Sequence, residues 1–214
     1  MQIHELNYIF FRRKNLQKLK IDLYSDLSES CILSYCHPNL FASFVSWMRL
    51  FKARNLFQKY STGSIILDFG AGSGELGLLL PTCDEYGFLE ENVELVNFIK
   101  SSIPSSKREE IFSLEKEKYD TIFCLDSLEH NSNFSELIDQ LLISLKPSGI
   151  LIVSGPTENL LYKLGRRIAG FTGDYHQTNI FTIEKYLSTR LNRIQRFYTP
   201  YGLPLFSLSV WKIK

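Results

Sequence analysis

Residues 64–77 read Ser-Ile-Ile-Leu-Asp-Phe-Gly-Ala-Gly-Ser-Gly-Glu-Leu-Gly, and they constrain the fold more than any other segment of this chain. A short apolar run leads into three alternate glycines, Gly70, Gly72 and Gly74, and a helical pattern follows. Glycine turns sharply at little steric cost and lets a ligand approach the bare backbone. The segment therefore predicts a buried strand, a tight turn at a binding site and the start of a helix.

The same turn also meets the spacing of a dinucleotide site, because Gly72, Gly74 and Gly77 fit the G-x-G-x-x-G pattern. Asp68 argues against that ligand, since a carboxylate beside the turn repels a pyrophosphate in a partly desolvated cleft. A cationic ligand fits better. S-adenosylmethionine carries an ammonium and a sulfonium and no phosphate, so we predict it as the cofactor; a turn that merely connects strand and helix is the alternative.

Three segments resemble the motifs of the class I S-adenosylmethionine-dependent methyltransferases. Residues 67–74 (Leu-Asp-Phe-Gly-Ala-Gly-Ser-Gly) are similar to the first motif, and residues 123–130 (Phe-Cys-Leu-Asp-Ser-Leu-Glu-His) to the fourth in its Glu-His-bearing subgroup. Residues 145–153 are also typical of the family, with Ser148 where glycine is commoner. The resemblance covers about half the chain and is silent about the methyl acceptor.

The hydrophobic pattern and the resemblance agree on an α/β fold. Strands alternate with helices, which indicates a doubly wound parallel sheet. The family's Rossmann-like sheet has seven strands, mostly parallel with an antiparallel last strand. We expect residues 1–60 to form a helical N-terminal cap of the same domain as residues 61–214. Strands are predicted at 64–69, 85–90, 109–113, 119–125, 150–154, 193–200 and 205–213, and helices at 3–20, 38–60, 74–80, 92–102, 133–145, a stretch starting at 156–157, and 182–190.

The resemblance implies where the cofactor binds. Asp68 and the backbone around Gly70, Ala71, Gly72 and Gly74 surround its methionine end, and Asp126, in the fourth motif, lies on the same side of the site. Glu90, at the end of the second strand, is placed to accept two hydrogen bonds from the ribose hydroxyls, because a carboxylate has two acceptor oxygens; Glu91 takes this role if the strand runs one residue longer. The usual acid after the third strand is missing, which leaves Ser113 and Glu115 as the candidates for the adenine site.

Methyl transfer depends on positioning, and a hydroxyl or amine acceptor also needs a base. Asp126, Glu129 and His130 follow the fourth strand, at the sheet edge where ligands bind. Glu129 and His130 are the catalytic candidates there, with His130 favoured as base by its ordinary pKa near ~6.5. His176, in a polar loop after the fifth strand, is a third. A structural histidine is the alternative for His130.

The charge distribution gives the acceptor prediction. Lys and Arg exceed Asp and Glu by 5 in residues 1–60 and by 7 in residues 161–214, whereas residues 61–160 carry an excess of 11 acids. The basic flanks predict an anionic acceptor. Arg166 and Arg167 lie on a predicted amphipathic helix, with Tyr175 after it, and we expect them to bind a phosphate or sugar-phosphate or to contact a membrane surface.

A surface helix that covers the sheet is the alternative to that basic binding helix. In that case Leu160, Leu161, Leu164 and Ile168 form its buried stripe. A weaker resemblance of residues 120–180 to bacterial methyltransferases of surface-polysaccharide pathways points to a sugar or lipid-linked glycan as acceptor. A small molecule of another kind fits the motifs equally well.

Composition and motifs argue against some classes of function. A net charge of +1 and the missing Asn/Asp-Pro-Pro-aromatic motif argue against nucleic acid as partner, although a nucleic-acid methyltransferase and a non-catalytic cofactor-binding scaffold remain alternatives. No apolar run approaches the ~18 residues of a membrane span. The first residues do not resemble a secretory signal, so we expect a cytoplasmic protein, at most attached to the inner face of a membrane. Neither the cysteines nor the histidines show metal-ligand spacing, so no metal is expected.

Overall fold

The computed structural model describes residues 3–19, 32–80, 83–168, 177–201 and 203–214. Within these ranges the strands are β1 Ile65–Phe69, β2 Glu85–Leu89, β3 Lys107–Arg108, β4 Tyr119–Leu125, β5 Leu145–Pro156, β6 Leu191–Thr199 and β7 Phe206–Ile213. The α-helices are α1 Ile3–Leu16, α2 Ile32–Tyr35, α3 Leu40–Tyr60, α4 Glu75–Leu79, α5 Val93–Ser102, α6 Phe134–Ser144, α7 Leu160–Ile168 and α8 Ile180–Arg190. Short 3₁₀ turns lie at Gln17–Leu19, Ile111–Ser113 and Leu128–His130.

The strands form one sheet in the order β3-β2-β1-β4-β5-β7-β6. Strands β1 to β5 pair parallel, and β7 runs antiparallel to both β5 and β6. This confirms the predicted mostly parallel sheet with a reversed last strand. The strand order changes direction between β1 and β4, and the carboxyl ends of these two strands therefore form the topological switch point at which open α/β sheets bind ligands.

Alternate residues of the central strands pack on opposite faces of the sheet, which explains why these strands are almost wholly apolar. Ile66, Phe88 and Phe123 face a core that includes residues of α3, α4 and α5. Leu67 and Ile122 face a second core with residues of α6 and α8. Both faces are covered, as the sequence of the fourth strand predicted.

Three predicted elements have different bounds in the structure. The fifth strand, predicted at 150–154, spans Leu145–Pro156. The third strand is Lys107–Arg108 and not 109–113: the Glu109 amide still donates to the Phe88 carbonyl (2.9 Å), but a 3₁₀ turn follows at Ile111. The helix expected from Pro156 begins at Leu160, because Pro156 still pairs with Phe206 as the last residue of β5.

The N-terminal helices attach to the sheet through buried contacts. Helix α3 packs beside the sheet, where Phe57 contacts Phe123 with ring centroids 6.1 Å apart. Helix α1 is held by Arg12, which donates to both carboxylate oxygens of Glu75 at 2.9 and 2.6 Å. Among the helices in the described ranges, none combines the length and apolar character that crossing a bilayer requires.

Candidate functional site

The glycine turn between β1 and α4 has the geometry that the sequence predicted. Gly70, Gly72 and Gly74 have φ of 70°, 56° and 74°, in the left-handed region that favours glycine. A Cβ at Gly70 would come within 2.5 Å of the Ser127 Cβ, so this glycine lets the turn pack against the segment after β4. A Cβ at Gly72 would meet no atom within 4 Å. The backbone at Gly72 therefore borders open space, where a ligand can approach it.

Glu90 lies directly beside this turn. One carboxylate oxygen accepts the Gly72 amide (2.8 Å) and the other the Asn92 amide (2.9 Å). Burial raises the pKa of Glu90, and the two backbone donors oppose that shift. Strand β2 ends at Leu89, and Glu91 is exposed. The geometry thus favours Glu90 over Glu91 as the acid that faces the ligand. Each Glu90 carboxylate oxygen has a further lone pair that can accept a hydrogen bond from a hydroxyl group.

Asp68 sits one residue before the end of β1 and is almost fully buried. The Tyr86 hydroxyl donates to one of its carboxylate oxygens at 2.7 Å. Burial raises its pKa to about 7; the Tyr86 hydrogen bond acts against this rise, and the charge of Glu90 adds to it. A cation bound close to the turn would favour the ionised form of Asp68.

Asp126 follows β4 and has a left-handed backbone, with φ of 51°. Its amide donates to the Ser154 carbonyl (3.0 Å), and the Ser154 hydroxyl donates to its carboxylate (2.9 Å). The other carboxylate oxygen forms an ion pair with Arg49 of helix α3. Non-glycine residues in this conformation persist where their surroundings over-determine them, as at many functional sites.

Glu129 follows β4 and is completely buried, with 0% of its surface exposed. Neither of its carboxylate oxygens has a hydrogen-bond partner among the described residues. Burial raises its pKa to about 7, its own backbone amide and the Arg49 charge oppose the rise, and Glu158 adds to it. His130, the next residue, ends the 3₁₀ turn and is half-buried. A buried carboxylate without a partner is rare in native structures, and a catalytic role, a bound water or an ion accounts for such groups.

Aromatic side chains lie close to these acids. The Tyr162 ring of α7 packs edge-on against Phe206, with ring centroids 5.3 Å apart, and the Arg49 guanidinium lies 4.1 Å from the Phe206 ring centroid. The Arg166 guanidinium lies 5.8 Å from the Tyr162 ring. Arg166 is half-buried, whereas Arg167 is exposed. The structure thus brings Arg166, but not Arg167, towards this aromatic pair.

Helix α7 exposes its leucines. Leu160, Leu161 and Leu164 are 87%, 48% and 56% exposed, and Tyr162 is buried instead. The alternative in which these leucines form a stripe buried on the sheet is therefore wrong for the three of them. Helical periodicity identified the apolar stripe correctly but could not say what, if anything, covers it.

The remaining predicted residues fall into two groups. Tyr175 and His176 lie outside the described residues. Ser113 is exposed, and Glu115 forms ion pairs with Lys107 and Lys118 on the surface. Sequence reasoning missed Arg49, which reaches Asp126 from 77 positions earlier in the chain. The one sign of Arg49's importance in the sequence was its position, as a charged residue, inside the long apolar pattern of helix 38–60.

Comparison with known proteins supports the resemblance. A family model described as a methyltransferase domain matches residues 44–196. The ubiquinone biosynthesis O-methyltransferase of Rickettsia canadensis (strain McKiel) is 27% identical over 124 residues, which is 56% of this chain and 48% of that protein. Its counterpart in Rickettsia typhi (strain ATCC VR-144 / Wilmington) is 32% identical over 103 residues, 42% of this chain and 39% of that protein. The chain thus spans less than half the length of these curated relatives.

Solved structures share the fold at low sequence identity. The N-methyltransferase NodS of Bradyrhizobium japonicum WM9, in complex with S-adenosylhomocysteine, superposes with a TM-score of 0.65 at 16% identity, over 92% of this chain and 97% of that one. The magnesium protoporphyrin IX methyltransferase of Synechocystis PCC 6803 gives 0.65 at 17% identity, over 82% and 88%. Because the family model matches residues 44–196, more than half of the chain, the protein belongs to the methyltransferase domain family.

Proposed function

We propose that this protein is an S-adenosylmethionine-dependent methyltransferase that acts on a small-molecule acceptor. The observation that carries the proposal is the open backbone at Gly72 with the half-buried Glu90 carboxylate beside it. A diol-binding acid next to an unobstructed glycine turn suits a nucleoside better than a pyrophosphate, which Glu90 and Asp68 would both repel. The O-methyltransferase relatives support the same reaction class.

The residues present fit this cofactor. Glu90 would accept the ribose hydroxyls, and the Gly70–Gly74 backbone would approach the methionine end. Asp68 would contribute negative charge near its cationic groups, while Asp126, whose charge Arg49 neutralises, would line the same side of the site. The cofactor, when bound, supplies an activated methyl group on its sulfonium. The chain's own contribution is to hold the acceptor in line with that group and to exclude water from a buried site.

Glu129 is the candidate base in this proposal. It is fully buried, its carboxylate has no hydrogen-bond partner in the described chain, and burial places its pKa at about 7. A carboxylate with these properties can take a proton from a hydroxyl or amine acceptor at neutral pH, because a base is most effective when its pKa lies near the working pH. His130 is next in the chain and is the second candidate.

We also propose a narrower class of acceptor, one that carries a phosphate. Arg166 lies against Tyr162 and would bind a phosphate or sugar-phosphate of an anionic or lipid-linked glycan acceptor, with Arg167 contributing from the surface. The exposed Leu160 and Leu164 on the same helix would enter the headgroup region of an anionic membrane at the inner face of the cell. This arrangement would present a lipid-linked acceptor to the site.

Calorimetric titration with S-adenosylhomocysteine tests the cofactor, with NAD as the parallel control. We expect binding of S-adenosylhomocysteine alone. Binding of NAD alone would replace the methyltransferase proposal by a dehydrogenase, and binding of neither would refute the cofactor site. Methyl transfer from labelled S-adenosylmethionine to phenolic, amine and glycan acceptors then separates an enzyme from a scaffold that binds the cofactor without turnover.

A further inference from the structure

Arg49 lies in the middle of helix α3 and is buried, with 5% of its surface exposed. Its sequence neighbours Trp47, Leu50 and Phe51 are buried as well. A buried guanidinium is costly unless it is paired, so its partners decide what it does. Those partners lie across the site and not on its own helix: Arg49 pairs with Asp126 after β4 and stacks on Phe206 of β7.

The pairing with Asp126 acts on a strained turn. Asp126 has a left-handed backbone, a conformation that non-glycine residues seldom adopt. Ser154 binds its amide and one carboxylate oxygen, and Arg49 binds the other oxygen. The direction in which the chain leaves β4, and with it the 3₁₀ turn that carries Glu129, is therefore fixed from two elements, β5 and α3, of which α3 belongs to the N-terminal helices.

Arg49 is also the cation that acts on Glu129. Its charge opposes the effect of burial on that carboxyl group, whereas Glu158 acts in the opposite sense. The Arg49 Nε is buried and has no hydrogen-bond partner among the described residues, in the same way as both oxygens of Glu129. Among the described residues, the titratable groups that interact with Glu129 come from α3, β4, α7 and the segment after β5: Arg49, Cys124, Tyr162 and Glu158.

We infer that Arg49 is a positioning residue for the methyl-transfer site: it fixes the Asp126 turn and keeps a positive charge beside the Glu129 carboxylate. The inference rests on the proposed function, in which Glu129 is the base. It makes the N-terminal helices part of the chemistry and not merely a cover, because the charge that favours the proton-accepting form of Glu129 comes from α3.

An infrared titration of Glu129 tests this without an acceptor. The carbonyl band of its protonated carboxyl group is isolated by subtracting the spectrum of the same protein carrying Glu129→Gln, and its pH midpoint is measured. We expect Arg49→Met to raise the midpoint by about one pH unit or more, as the loss of a nearby opposite charge does. Arg49→Lys keeps the charge and should leave the midpoint close to that of the wild type.

Arg54→Met is the matched control, since Arg54 lies on the same helix and loses an ion pair with Glu5, on α1, instead. An unchanged midpoint in Arg49→Met, or an equal shift in Arg54→Met or Arg49→Lys, would overturn the inference. If Arg49→Met does not fold, Arg49→Met/Asp126→Asn is compared with Asp126→Asn under the same criterion. If S-adenosylhomocysteine does not bind, the proposed function is refuted, but the pH midpoint of Glu129 still tests the effect of Arg49 on it.

Discussion

Replacing Glu129 by Gln should stabilise the protein at high pH and have much less effect at low pH. The pKa of this carboxyl group is raised from 4.5 to about 7 by burial, so the folded state holds its proton over a range in which the unfolded state has released it. Stability is then lost as pH rises from about 4.5, and the loss is complete above about 7. Gln cannot ionise and removes this loss. From the two pKa values, linkage gives a gain for the variant that is about 2 kcal/mol larger at pH ~8.5 than at pH ~5.5.

The assay is urea unfolding of wild type and variant at those two pH values, without cofactor. Any cost of the buried Gln amide is the same at both, so it cancels in the difference. For a chain of this size about 2 kcal/mol corresponds to roughly 4–8 °C in Tm. Glu94→Gln, at an exposed position in the first turn of α5, is the control and should show no comparable pH dependence. A Glu129→Gln effect that is equal at both pH values would refute the burial argument.

Three further predictions follow from the same geometry. Glu90→Gln should weaken S-adenosylhomocysteine binding about 10-fold or more in calorimetry, because a charge-assisted hydrogen bond contributes about 1.5–3 kcal/mol. Gly74→Ala should lower the free energy of unfolding by about 1–2 kcal/mol, since φ is 74°, while Gly165→Ala, at an unobstructed site in α7, should not destabilise. Leu160→Glu/Leu164→Glu should abolish sedimentation with phosphatidylglycerol vesicles and leave S-adenosylhomocysteine binding unchanged; binding to these vesicles that persists would refute the membrane contact.

The sequence was most informative where one physical signal dominated. The nearly all-apolar segment at 119–125 predicted β4 with the bounds observed, because a strand covered on both faces has few polar positions to mislead the assignment. The prediction of the third strand failed for the opposite reason. Lys107–Arg108 is a two-residue edge strand with both side chains exposed, so it exists through pairing with β2 and not through any pattern of its own.

The same contrast applies to the candidate site. The glycine turn and Glu90 were predictable because the residues that make the contact lie within 18 positions of one another. The Tyr86–Asp68 hydrogen bond depends on the register between β1 and β2, and the Arg49–Asp126 pair depends on how α3 crosses the sheet. Neither follows from spacing along the chain. Taken alone in the sequence, Tyr86 resembles an ordinary core tyrosine and Arg49 an ordinary helix arginine.

The N-terminal helices therefore do more than cover the sheet, and two buried ion pairs show why. Arg12 binds both oxygens of Glu75, the first residue after the glycine turn, and Arg49 binds Asp126 at the end of β4. Removing one partner of a buried pair costs about 3–5 kcal/mol, because the other charge stays desolvated. A chain that began after residue 60 would keep Glu75 and Asp126 and lose both arginines. Both carboxylates would then lose their cations next to the proposed cofactor site, so we expect the helices and the sheet to fold, and to bind, as one unit.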